Sequence, residues 1–513
     1  MKPFVRIKKI SGIEYLYEVT PYKDPETGKV RQKTKYLGKN VNGVPVKVRS
    51  QGQPPKTVLS YGEFLPFNKI IADLKLDTIL SEVLPEHHIW PLLTLAMNYA
   101  IRPRALYHIQ SWYEGTVLNE DHPNLSLSSQ SLSNLLSSIG NSAIHLGFSN
   151  RLIHQVSTSS TLFYDITSIS SYSETINLLE YGYNRDGLDL PQLNLALIVD
   201  KQLGIPVMYD IYPGSIVDVS TLMNTTKKIN SMGVRDYTLI MDRGLFSTAN
   251  IYELVENDLS FIIPPTSTLK NVKEAISAIH SSIDDPNNLK LYQNEPLFVK
   301  PITIEVGEIS LQGYAYYDQK REQQERTTFY KRLYDLSERL KSVVIKPQFD
   351  PAVVFREIAK RDARYFEWSL NGNKFEISIR QNAVSQRVNK MGKFILLYRG
   401  NQTWDDCLSL YRSRDLVEKA FDVLKNDIDV MPVNVRTDSS LRGYLFACFI
   451  SLIMRMKLMR MMKDSELLSK YSVEAVLLEL EKIRLMILPD GQKVMTELTK
   501  RQREILGALG VCA

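Results

Sequence analysis

Tyr411-Arg-Ser-Arg-Asp-Leu-Val-Glu-Lys-Ala-Phe-Asp-Val-Leu-Lys425 reads as one helix. Leu416, Val417, Ala420, Phe421 and Leu424 recur with the spacing of a one-sided apolar stripe. At about 100° per residue, Tyr411, Arg414, Glu418 and Lys425 fall within roughly 60° of one another, beside that stripe. A phenol, two cations and a carboxylate therefore share one face at the rim of a buried surface. A carboxylate there can bind a metal ion, and cations a turn or two away can hold phosphate oxygens. The same residues also suit a solvated face laced with helix ion pairs. Asp415 and Asp422 lie near that face as well, so geometry leaves the choice of acid open.

Upstream, the pattern between residues 158 and 266 is that of strands. Thr161-Leu-Phe-Tyr-Asp-Ile-Thr-Ser168 is a short apolar strand expected to end in Asp165. Leu193–Val199 and Ile205–Ile211 follow, joined by a turn at Gly204. After a helix to about Met232, Tyr237-Thr-Leu-Ile-Met-Asp242-Arg-Gly244 delivers a second aspartate into a glycine turn. Ser247 or Thr248 caps the next helix, and Phe261-Ile-Ile-Pro-Pro265 is a further strand. Three strands followed by helix–strand alternation imply a mixed sheet of the ribonuclease-H-like kind, whereas a doubly wound fold would alternate from the start. Residues 267–392 interrupt the pattern with a charged helix over 318–341 and an alternating hairpin around Asn371-Gly-Asn373. They read as an inserted α+β subdomain. The core resumes at Lys393–Tyr398 and runs through the Tyr411–Lys425 segment to an apolar helix near Leu441–Met462, giving a second core part over 393–463. Residues 464–513 read as terminal helices, Val473–Met486 among them.

The amino-terminal half divides at a Pro- and Gly-bearing stretch over 51–56. Residues 1–55 form a basic β-hairpin region: the first 50 residues hold 12 Lys/Arg against 4 Asp/Glu, although the whole chain of 513 is only +6. Lys29, Arg31, Lys33 and Lys35 alternate along one strand and so share a side. That side fits a DNA backbone, or equally a solvated edge protected by lysines. Residues 56–157 read as a helical module, with helices over Phe67–Leu84, Trp90–Arg102, Leu106–Glu114 and Ser129–Ser138, suited to DNA binding or to packing on the core. The three cysteines are far apart and form neither a disulfide framework nor a zinc site, which fits a reducing compartment. The longest apolar run, Gly443 to Met454, lies between two arginines and is too short to span a bilayer.

The spacing Tyr-x2-Arg-x3-Glu-x6-Lys at 411, 414, 418 and 425 resembles the signature around the third acidic residue of DDE transposases of the bacterial insertion-sequence type. Asp165-x-Thr and Asp242-Arg-Gly stand upstream in the expected order. Asp186 to Gln192, Pro213-Gly214 and the insertion between Asp242 and Glu418 look similar too, so the resemblance spans roughly 160–460. It implies a ribonuclease-H-like core whose Asp165, Asp242 and Glu418 are catalytic ligands of two Mg2+ or Mn2+ ions. The resemblance further implies that the core cuts transposon ends and joins them to target DNA, as a homodimer acting on two ends in a bacterial cytoplasm, at the nucleoid. Tyr411, Arg414 and Lys425 would orient phosphates, with Arg243 and the hairpin cations as further DNA contacts. Trp368 could stack on a flipped base, as an aromatic does in some relatives, or simply fill a core. Two other readings are a transposase-derived DNA-binding protein without catalysis and a metal-dependent phosphohydrolase. The second usually wants another acid two residues after its aspartate, where Thr167 stands here.

Overall fold

The computed structural model describes residues 2–511 apart from 11–12, 26–27, 42, 47–53, 157–160, 174, 217, 267–268, 281, 432 and 434. The chain forms two units: residues 1–59 with 484–497, and residues 60–483 with 498–513.

The larger unit is built on one nine-stranded sheet. In chain order its strands are β1 (Thr161–Ser170), β2 (Gln192–Asp200), β3 (Pro206–Pro213), β4 (Thr238–Met241), β5 (Ser260–Ile263), β6 (Leu289–Tyr292), β7 (Glu295–Val306), β8 (Ile309–Tyr317) and β9 (Lys393–Arg399). Their order across the sheet is β6-β7-β8-β9-β5-β4-β1-β2-β3. β4 runs parallel to both β1 and β5, and the other neighbours are antiparallel. All nine residues of β2 are buried, which is why β2 reads as a largely apolar run (with Gln192, Asn194 and Asp200 as polar exceptions) rather than as an alternation. This mixed α/β arrangement fits a ribonuclease-H-like core.

The segment 267–392 differs from expectation. β6, β7 and β8 do not stand apart but extend the main sheet through β9. Helices Gln319–Ser342, Pro351–Ala359 and Gln381–Val388 then join the hairpin Phe366–Asn371/Lys374–Ile379 around a separate core. Phe329, Leu333, Phe355, Phe366 and Phe375 are among its buried members. Trp368 packs against this core, its ring 5.6 Å from Phe355 and 5.4 Å from Phe375.

The helical region also departs from its sequence reading. Phe67–Leu84 is not continuous, because Lys75 adopts a left-handed conformation (φ 50°) between helices Leu65–Leu74 and Leu76–Ser81. The helices Glu86–Ile101 and Ser129–Gly140 pack on the 27-residue helix Asp438–Asp464. Gly140 and Gly443 make that crossing close: a Cβ on Gly443 would lie 1.9 Å from the Leu136 carbonyl oxygen, and one on Gly140 would lie 1.7 Å from that of Ser439. Arg455, buried inside, donates to the Ala100 carbonyl at 2.8 Å and to Asp427 at 2.9 Å, and also pairs with Glu474. The helices Leu65–Leu74, Glu86–Ile101 and Ser129–Gly140 thus share a core with a helix some 300 or more positions away. Among the described residues, no helix is long and apolar enough to cross a membrane.

The smaller unit holds a four-stranded antiparallel sheet, Phe4–Ile10, Ile13–Lys23, Val30–Val41 and Val44–Val46. This is one hairpin extended by a strand on each side. Arg31, Lys33 and Lys35 stand opposite Tyr22, Thr20 and Glu18, with Lys29 just before the strand. Arg31 pairs with Asp24 at 2.8 Å. A second sheet joins Thr57–Ser60 to Arg484–Ile487 and Lys493–Met495. The expected helix Val473–Met486 therefore stops at Leu480 and becomes a strand, because Arg484–Ile487 finds sheet partners at both edges.

Candidate active site

Asp165 lies in the middle of β1 rather than at its end. The parallel pairing of β1 with β4 stops at Tyr164, opposite Met241, while the pairing with β2 continues to Ser170. Asp165 is thus the first residue of β1 beyond the end of β4. Asp242 is the residue that follows β4. The two carboxylates stand side by side because one strand ends where its neighbour runs on. After Asp242 the chain makes a tight turn, Arg243–Leu245, held by the buried Asn250 side chain donating to the Leu245 carbonyl at 2.7 Å. Ser247 then caps the helix Thr248–Glu256, accepting from the Asn250 N–H.

The 411–425 segment is not one helix. Trp404–Arg412, capped by Thr403 and Asp406, ends at Ser413. Asp415–Asp422 follows and passes into a π-helical turn over Val423–Asp427. At the junction the amides of Arg414, Leu416 and Val417 bond three residues back instead of four, which tightens the turn. The expected apolar stripe is still buried at Val417, Ala420, Phe421 and Leu424, and it packs the helix on β1 and β2.

Arg414 is the centre of the site. Its guanidinium lies 3.2 Å from Asp165 and 3.8 Å from Asp242, and it also pairs with Glu418 one turn on. Tyr411 donates from its phenol to Asp242 at 3.5 Å. Of the acids on the helix, Glu418 is the one that meets this cation; Asp422 is bound instead by Lys419 and by Asn426 at 2.6 Å. Lys425 reaches Asp186, both of whose carboxylate oxygens accept at 2.7 Å. Arg185, beside Asp186, reaches Ser168 and Asn194 on β1 and β2. The sequence reading passed over Arg185 and the pairing role of Asp186, which no local pattern marks.

Burial pushes Asp165 up to about 6, against the Ile166 N–H at 2.9 Å and the Arg414 guanidinium, which favour the ionised form. Burial works against the charge on Arg414, but Asp242, Asp165 and Glu418 outweigh it and raise its pKa. Burial and then Asp242 raise the Tyr411 phenol, so it stays a donor. Among the described residues no group of three or more His, Cys, Asp or Glu side chains is gathered tightly enough to hold a metal as it stands. The acids meet the guanidinium rather than one another. Three carboxylates drawn around one cation are nevertheless the oxygen-donor set a hard divalent ion takes. Glu418 is exposed, and an ion that drew it in would take the place of its Arg414 partner.

Trp368 packs, half-buried, against the core of the inserted segment, and Lys29, Arg31, Lys33 and Lys35 belong to the smaller unit. Arg243 is exposed at the turn after Asp242 and lines a cleft with Pro264 and Pro265.

A search of the curated proteins finds no match. A solved structure, that of a piggyBac transposase synaptic complex with hairpin DNA, aligns with 87% of this chain and 78% of its own, at 10% identity and a TM-score of 0.37. Residues 157–454 match the transposase DDE domain family, well over half of the chain and all of the site just described. The chain belongs to the transposase DDE domain family.

Proposed function

We propose that this protein is the DNA transposase of a bacterial insertion sequence, cutting transposon ends and joining them to target DNA at Asp165, Asp242 and Glu418. The observation that carries the reading is the convergence of these three carboxylates, from three distant parts of the chain, on the single guanidinium of Arg414. Asp165, Asp242 and Glu418 would hold Mg2+ or Mn2+, two ions per site. When bound, these ions supply charge neutralisation at the transferring phosphoryl group and activation of the attacking water or 3′-hydroxyl.

The protein's own side chains prepare the site. β1 and the end of β4 fix Asp165 and Asp242 on rigid backbone, so little reorganisation is needed there. The Tyr411 phenol holds the carboxylate of Asp242 in place. Arg414 and Lys425 each carry an acidic partner that a phosphate oxygen can replace, and both are suited to clamp the DNA backbone beside the scissile bond. Arg243 and the cations Lys29, Arg31, Lys33 and Lys35 extend the proposed DNA contact. Handling two transposon ends together implies a homodimer on DNA, in the cytoplasm at the nucleoid. Trp368, half-buried against Phe355 and Phe375, serves the packing of the inserted segment rather than the DNA contact.

The test uses duplex DNA carrying the sequences that flank the coding region. Asp165→Asn, Asp242→Asn and Glu418→Gln should each abolish Mg2+-dependent nicking while leaving DNA binding in place. Wild-type cleavage by any one of the three would remove that residue from the site. DNA binding without nicking by the unaltered protein would favour a non-catalytic descendant. Turnover of small phosphate esters alone would favour a phosphohydrolase.

A further inference from the structure

A cleft of about 610 Å³ opens where the main sheet meets the inserted segment. Its walls are Pro264 and Pro265 after β5, the helices Lys270–His280, Gln319–Ser342 and Gln381–Val388, and the start of β9. Six cations line it: Arg243, Arg321, Arg364, Arg387, Lys390 and Lys393. The carboxylate among them, Glu325, is already engaged by Arg321 at 2.9 Å and by the Gly392 N–H at 3.1 Å. Arg243, Arg364, Arg387 and Lys390 are exposed and make no ion pair among the described residues. Burial lowers the pKa of Lys393, which sits deeper, with its ammonium 4.4 Å from the Tyr317 ring centre. Like charges gathered without counter-charges repel one another, and a polyanion relieves that repulsion. One of its lining cations, Arg243, directly follows Asp242 in the chain, which sets that end of the cleft beside the candidate site.

The size of the cleft limits what can enter. A space of this size takes a few nucleotides of one strand, whereas a duplex, whose major groove alone is ~12 Å wide, is too bulky to enter and could only lie across the mouth. A single phosphodiester strand fits. We infer that this cleft is a single-strand DNA site, holding consecutive phosphates of the strand that leads away from the reacting phosphate and across the inserted segment. The inference rests on the transposase reading and adds to it a strand-selective contact surface made by Arg364, Arg387 and Lys390.

The experiment compares full-length protein with Arg387→Gln/Lys390→Gln and, separately, with Arg364→Gln. Binding of a fluorescent oligothymidine and of a duplex of equal length is followed by anisotropy over a range of salt. Two lost phosphate contacts should flatten the single-strand salt slope by about 1.4 and weaken binding roughly 25-fold at 0.1 M salt. Arg364→Gln should give about half that change in slope. Duplex affinity should change by less than about threefold. Unchanged single-strand affinity in both variants, at unchanged melting temperature, overturns the inference. So does an equal loss for duplex and single strand, which would make the cleft part of a general duplex path. Unaltered protein that binds neither DNA would instead overturn the transposase reading itself.

Discussion

Replacing Arg414 with Gln removes the cation on which three carboxylates converge, and the cost should depend on pH. Asp242 and Glu418 are 42% and 57% exposed, and ion pairs to such groups contribute at most about 1 kcal/mol each. The Asp165 pair is different, its two side chains being 20% and 14% exposed. Removing one partner of a buried pair costs about 3–5 kcal/mol if the remaining charge must stay. Asp165 has an alternative, because burial already holds its carboxyl at about 6. It can take up a proton, at about 1.4 kcal/mol for each pH unit above that value. With Arg414 in place, protonation at pH 8 costs about 3 kcal/mol, which is the ceiling on the loss at this pair because the variant can take up the proton instead. At pH 5 the carboxyl is mostly protonated with or without Arg414, so only the exposed pairs are lost. The sign follows from the direction of the shift. A carboxyl whose folded value lies above its ordinary one weakens the fold as pH rises through about 6, and the penalty disappears as pH falls toward 4. Losing Arg414 raises the folded value further and deepens the penalty on the alkaline side. Urea unfolding in EDTA, followed by circular dichroism at pH 5 and pH 8, measures this. Arg414→Gln should be destabilised by about 2 kcal/mol more at pH 8 than at pH 5. An equal loss at both values would refute Arg414 as the counter-ion of Asp165.

Two further outcomes test the scaffold around the site. Burial lowers His145 from 6.5 to about 4, with Asp210 opposing and Lys228 and Arg442 assisting. A base held neutral in the fold stabilises fully above 6.5 and loses that contribution as pH falls to about 4, some 3 kcal/mol in all, so His145→Gln should flatten this part of the acid unfolding curve. Gly443→Ala sets a methyl 1.9 Å from a backbone oxygen and should cost more than about 2 kcal/mol, whereas Gly507→Ala, with nothing within 4 Å, should leave stability equal or slightly higher in the same melt.

Much of the core was legible because its signals are local. β1, β2, β4 and β9 read as strands since each buries a run of apolar residues that no helix period fits. The turn at Asp242 was legible from Gly244 and Ser247. β6 to β8 were not read. β7 carries Pro296 and Pro301, residues that argue against a strand interior, and it becomes a strand only when β8 pairs along it. Arg484–Ile487 failed in the same way: four residues too few to declare themselves take strand form from Thr57–Ser60, more than 420 positions earlier.

The candidate site divides similarly. The amino-acid sequence alone put Arg414 and Glu418 four residues apart, one turn of helix, whereas the face they were expected to share with Tyr411 and Lys425 assumed a single helix that the structure breaks at Ser413 and turns into a π-helix from Val423. It also supplied Asp242 just past a strand end, and Asp165 on a strand, though in its middle rather than at its end. It could not determine that Arg414 would turn inward to Asp165, 249 positions away, nor that Lys425 would lie against Asp186, 239 positions away. Nor could it decide between Glu418 and Asp422. Those contacts depend on how far β1 runs past β4 and on the tightened turn at Arg414, and both are set when the helix packs on the sheet. Coulomb attraction between groups so far apart in the chain acts only after the fold has brought them within a few ångströms, and so the tertiary structure alone decided the pairing.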